Sequence, residues 1–289
     1  MRQAAVFSSL LPLFALTVVA SAAESEPTSV IEAEYVFAQS AKPLGVRGAF
    51  LKWLAPDSMI CSPAPVNGVV STTADEPNND TLEWYPAISQ TAGSGDLGYT
   101  IGPWRYRSAD GKGAAQGTFL SVWRKQPDDT WRVVLDCGVN HAKPANPPAA
   151  LTSSPAGPTK ATTVGGGWHQ PIGSAEAQFA AAATADSKSA LRSFASADVR
   201  VMARGVPVAV GIDAGQALLD SQKLNGVWGH AFAAQSEDGT LGYAWGYVGD
   251  AQSEAPSAAY VNVWQRATPE APWKIVAQSL QVIPPQKKN

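Results

Sequence analysis

The sequence predicts an α+β protein built twice over, two successive copies of one domain in which N-terminal helices precede a meander of long antiparallel strands. Three observations predict it. Gly95-Asp-Leu-Gly-Tyr-Thr-Ile-Gly102 returns as Gly239-Thr-Leu-Gly-Tyr-Ala-Trp-Gly246, a spacing of 144 that also relates Trp84 to Trp228. Flanking matches hold nearly the same register: Ala49–Asp57 with Ala190–Asp198 and Val122-Trp123 with Val263-Trp264 at 141, and Trp131-Arg-Val-Val with Trp273-Lys-Ile-Val at 142. Such drift is what altered turn lengths produce when the elements themselves persist. Between the copies, residues 142–173 are rich in proline, contain Gly165-Gly-Gly167 and have too few aliphatics to build a core, so they read as a linker.

Residues 1–22 carry Arg2, an apolar run broken by Pro12, and a small-residue end at Ala20-Ser-Ala22. This is the pattern of a secretory signal peptide cut after Ala22, and it places the chain in the periplasm or outside the cell. Later segments lack the roughly 20 consecutive apolar residues of a membrane span. The remaining 267 of 289 residues suit two domains, expected at 28–141 and 174–284.

In the first copy, Thr28 is the expected N-cap of a helix through Ile31–Gln39, and Pro43 opens a second helical run ended by Pro56. Asp57–Gly68 reads as a short strand, a proline-broken turn and a brief second strand; Val69–Asn79 is ambiguous, with a short helix as one reading. Asp96–Arg107, Gly117–Lys125 and Trp131–Val139 are three long strands separated by the turn signals Asp110-Gly-Lys-Gly and Pro127-Asp-Asp. Gly98 and Gly242 permit either a close approach to the sheet surface or a bend in the strand.

The net charge of −3 and the lack of a basic block before Lys287-Lys288 give no footprint for nucleic acid. Three scattered histidines, without a Cys-x-x-Cys pair, form no metal pattern, and no Gly-x-Ser-x-Gly elbow or phosphate loop appears. Neither a metal nor any other cofactor is expected. Cys61 and Cys137 both fall in the first copy; in an oxidising compartment they can pair, and as buried neighbours they can equally remain thiols.

With Trp84 and Gly95–Trp104 before the meander, and Val122-Trp123-Arg124 and Trp131-Arg-Val-Val134 within it, each copy resembles the nuclear transport factor two-like superfamily. The likeness is to its SnoaL-like and ketosteroid-isomerase-like members, including an uncharacterised bacterial branch. The resemblance implies two tandem cone-shaped domains, each a curved antiparallel sheet wrapped around N-terminal helices with a cavity at the open end. It also implies that the two cones pair through their sheets within one chain.

Enzymes of that superfamily place a carboxylate or histidine in the cone beside a proton donor. By that analogy Asp136, with Tyr99 or Tyr106, is the candidate site of the first copy; the second has Gln278 there, which cannot serve as a carboxylate base. Asp57 and Asp198 match between copies and read as turn or capping residues. Ten tryptophans are an excess over ordinary usage. Some pack between helix and sheet, and some line a cone mouth where a small apolar or aromatic ligand stacks. The pocket candidates are Trp53, Trp84, Trp104 and Trp123 in the first copy and Trp228, Tyr243, Trp245 and Trp264 in the second, with Arg105 or Arg124 available to anchor a carboxylate. Two readings follow: an exported binding module with no catalytic cluster, and an isomerase- or lyase-type enzyme with Asp136 as general base.

Overall fold

The computed structural model describes residues 26–144, 146–152, 170–224, 226–249 and 256–284. Residues 1–22, expected to be a signal peptide, lie outside them, as do His169 and Gly165–Gly167. In the first half, α1 (Val30–Trp53) leads to β1 (Leu54–Cys61), β2 (Pro65–Asn67), α2 (Gly68–Ala74), β3 (Thr81–Trp84), β4 (Ile88–Thr91), β5 (Leu97–Arg107), β6 (Ala114–Lys125) and β7 (Trp131–Asn140). The second half follows with α3 (Gln170–Phe194), β8 (Ala195–Ala203), β9 (Ala209–Val210), α4 (Ile212–Gln222), β10 (Val227–Gln235), β11 (Leu241–Gly249), β12 (Ala258–Gln265) and β13 (Lys274–Val282). The helix α3 thus begins inside the stretch read as linker.

The strand orders are β2-β1-β7-β6-β5-β3, with β4 also on β5, and β10-β11-β12-β13-β8-β9. Neither sheet is purely antiparallel as expected. The last meander strand of each half, β7 or β13, lies parallel to the strand that leaves the long helix, β1 or β8. Each sheet is therefore mixed, within the α+β class.

Local chemistry accounts for the elements. Ser29, not Thr28, caps α1 by accepting from the Glu32 amide, while Thr28 donates to the Glu32 carboxylate. α1 breaks at Gly45, whose φ of 70° needs glycine, two residues after Pro43. α3 breaks at Asp186, whose carboxylate accepts from Lys188 N–H and so caps the following segment. A Cβ on Gly98 would collide with Val30, and one on Gly242 with Ile172, so each glycine lets the first turn of the long helix press on the sheet. The ambiguous Val69–Asn79 stretch opens with α2, capped by Asn67.

Three buried clusters organise the described residues. One fills the first cone around Phe37, Trp53, Trp123 and Trp131, and another fills the second around Phe179, Trp228, Tyr260 and Trp264. The third draws on both halves, with Leu97, Tyr99, Leu120 and Val122 beside Leu241, Tyr243, Val261 and Val263. At one edge, the equivalent turn residues Ser94 and Asp238 bond each other: Ser94 N–H donates to Asp238 at 2.8 Å and Asp238 N–H to Ser94 Oγ at 3.4 Å. Cys61 and Cys137 are joined in a disulfide with their Cα atoms 4.8 Å apart, so of the two open readings the bonded one holds.

Candidate ligand cavity and its carboxylates

Strand alternation decides which side chains enter the first cone. On β5 the even-numbered Thr100, Trp104 and Tyr106 face the helix, and Leu97, Tyr99 and Ile101 face the other half. Neighbouring strands continue the inner face as a cross-strand row, Thr100 opposite Ser121 and Ser121 opposite Asp136. Above this row sits Glu34 of α1, fully buried. Its carboxylate accepts from Thr100 Oγ1 at 2.6 Å, Trp84 Nε1 at 2.6 Å and Trp123 Nε1 at 2.9 Å.

Burial pushes the Glu34 carboxyl up to about 7; its three donors oppose the rise and the Asp136 charge adds to it. Asp136 accepts from Ser121 Oγ at 2.7 Å through Oδ1, and burial pushes it up to about 6. Its Oδ2 has no protein partner among the described residues. Asp136 lines a cavity of about 290 Å³. Phe37, Phe50, Trp84, Trp104, Tyr106 and Phe119 wall this space, with Leu82, Ala115 and Gly138 between them. Among the described residues Trp104 Nε1 is buried without a partner, and Tyr106 gives its hydroxyl proton to Asp80 at 2.6 Å.

The second cone keeps the anchor and changes the floor. Glu176, also fully buried, accepts from Trp264 Nε1 at 2.7 Å and Asn262 Nδ2 at 3.2 Å. Burial raises its carboxyl too, against those same hydrogen bonds. Gln278 donates to Asn262 at 2.9 Å and is fully buried, as are Tyr260 and Leu280. The register is the same in both halves: Phe119 opposite Gly138 corresponds to Tyr260 opposite Leu280. Where the first cone has a glycine and space, the second has a leucine.

The structure therefore sorts the sequence candidates. Asp136, Trp84 and Trp104 meet at the cavity, with Tyr106. Tyr99 does not join them, because strand alternation turns it toward the other half, where burial pushes its phenol up to about 12. Tyr243 and Trp245 sit on the corresponding face of β11, Trp245 packed against Phe232 at 6.2 Å between centroids. Trp53, Trp123, Trp228 and Trp264 are core residues rather than pocket lining. Arg105 is exposed and belongs to an adjoining groove with His141 and Lys143. Arg124 is not free to anchor a ligand, being paired with Asp57 at 2.8 Å. Asp57 and Asp198 do not cap helices; they lie within β1 and β8.

Sequence reasoning missed Glu34 and Glu176. The signal was present: Glu34-x-x-Phe37 and Glu176-x-x-Phe179 match at a spacing of 142, each putting a carboxylate on the apolar stripe of its helix.

No family model matches the chain, and no curated protein matches it. Solved structures similar to it include an NTF-2 like protein of unknown function from Shewanella oneidensis, 18% identical over 38% of this chain and 94% of that one, TM-score 0.32. A nuclear transport factor 2 (NTF2-like) superfamily protein from Salmonella enterica is 17% identical over 39% and 89%, TM-score 0.32. A ketosteroid isomerase-like protein from Erwinia carotovora atroseptica is 15% identical over 38% and 93%, TM-score 0.31. Each spans about as much of this chain as one cone occupies. The α+β cone assignment stands on the strand orders and helix placements given above.

Proposed function

We propose that the first cone is the working half of an exported protein and binds one small, largely apolar molecule in the cavity above Asp136. The observation that carries this reading is the cavity itself: about 290 Å³, walled by aromatic rings and floored by a carboxylate with a free oxygen. That is near the lower bound of small-molecule sites, roughly 300–1,000 Å³, and suits a single ring with a short arm. The second cone, filled by its own side chains, acts as partner: the two sheets pair within the chain as a pseudo-dimer, a reading supported by the mixed buried cluster and the Ser94–Asp238 exchange.

Calorimetric titration of the full chain with phenol, 2-phenylethanol, 2-phenylethylamine and 3-phenylpropionate tests the site. Saturable binding of at least one at about one site per chain is expected, and no heat from any of the four refutes the reading. A second reading, proton transfer with Asp136 as base, is favoured by one observation: Asp136 lines the cavity with one oxygen unpartnered among the described residues, while burial holds its proton affinity closer to neutrality. The Asp136→Asn variant separates the two, since a binding module keeps its apolar affinity and an isomerase or lyase loses turnover.

A further inference from the structure

Resting on the reading of the cavity as a ligand site, we infer that its ligand is an organic ammonium ion, a primary or secondary amine carried on an apolar ring or short chain. The walls are aromatic on nearly every side, and ring faces carry negative potential that favours a cation and opposes an anion. Among the described residues Asp136 is the one charged residue in that lining, and with Oδ1 taken by Ser121 its Oδ2 is left to accept an ammonium N–H in a charge-assisted bond.

The surroundings point the same way. Trp84 gives its ring N–H to Glu34 at 2.6 Å, so a carboxylate polarises the indole that walls the site and makes its face more negative. Tyr106 does the same toward Asp80 at 2.6 Å. The neighbouring cations are turned away. Arg105 and Lys143, with His141, line the groove on the far side of Trp84 and Trp104, and Arg105 and Arg107 alternate with Trp104 and Tyr106 along β5. A carboxylate ligand would set a second anion beside Asp136 with no cation to compensate it, a costly arrangement away from water. A neutral alcohol gains the walls and one hydrogen bond, without the charge term. Because burial lifts Asp136 to about 6, a bound ammonium favours its ionised form. Amine affinity then rises from pH 5 to pH 7 as Asp136 gives up its proton, and Glu34 behind Trp84, lifted to about 7, begins to give up its own over the same range.

The experiment compares 2-phenylethylamine, 2-phenylethanol and 3-phenylpropionate on the full chain by calorimetry at pH 5 and pH 7. The amine is expected to bind about tenfold or more tightly than the alcohol at pH 7, and the acid weakest. In Asp136→Asn, with wild-type near-ultraviolet circular dichroism, the amine should fall to the level of the alcohol. Alcohol binding as tight as amine binding, or an amine preference that survives in Asp136→Asn, overturns the inference and leaves the cavity reading standing. Failure of all probes overturns both.

Discussion

Replacing Glu34 with glutamine tests the account of the buried anchor most directly. Its pKa rises from 4.5 to about 7 on folding, which corresponds to about 3 kcal/mol. The sign follows from linkage. A carboxyl whose folded pKa is raised holds its proton longer in the native state, so its contribution is fully present below 4.5 and is lost as pH climbs through about 7. Glutamine does not titrate, but its NH₂ must replace one acceptor oxygen, leaving the Trp84 or the Trp123 indole N–H without an acceptor. That costs about 1–3 kcal/mol. Glu34→Gln should therefore be less stable than wild type at pH 4.5 and lose most or all of that deficit by pH 8. Asp136 and Glu176 are also raised in the wild type; Glu176 lies in the other cone and cancels in the difference between the two curves, which reports Glu34 together with its coupling to Asp136. Urea unfolding followed by circular dichroism at half-unit pH steps measures it. A difference that stays constant from pH 4.5 to 8, or grows with pH, would refute the reasoning.

Two further outcomes follow from the same structure. The Cys61–Cys137 bridge closes 76 residues of sequence, so on a chain-entropy account Cys61→Ser with Cys137→Ser should lose about 4 kcal/mol; a thermal midpoint unmoved by the double substitution would show that the bridge does not stabilise the fold. Asp238→Ala removes the acceptor of the Ser94 amide in the other half and of Ser236 and Thr240 in its own turn. A loss of about 1–3 kcal/mol is expected, and melting identical to wild type would count against the turn exchange as a tie between the cones.

The duplication was legible because it is carried by glycines and tryptophans that the sheet cannot replace. A Cβ on Gly102 would run into the Tyr85 carbonyl oxygen, and one on Gly246 into that of Gly229, the same collision at the same register. The parallel placement of β1 beside β7 was not legible, since short strands carry no mark of which neighbour they join. Tyr99 was misplaced for a different reason. Counting along β5 sets it on the face opposite Trp104 and Tyr106, but parity alone does not say which of the two faces looks into the cone and which is covered by the other half. Glu34 was overlooked because a single glutamate in a helix is usually solvated; only its recurrence before phenylalanine in both copies distinguishes it.

Internal duplication also separates scaffold from site. The glutamate and its tryptophan donor occur in both cones, one open and one filled, so they belong to the architecture. What differs is the floor: Ser121 and Asp136 against Asn262 and Gln278, and Gly138 against Leu280. Gly138 is the position on which the cavity depends. A Cβ there would stand 3.4 Å from Trp104 Nε1, an ordinary contact, so alanine fits without displacing anything. A leucine would send its branch into the space that Leu280 occupies in the second cone. Burying that side chain against aromatic walls is worth about 1.5–3 kcal/mol where it fits, so Gly138→Leu should fold with stability equal to or above wild type while losing probe binding, and Gly138→Ala should retain most of it. Binding that survives Gly138→Leu at wild-type affinity would place the ligand elsewhere on the molecule.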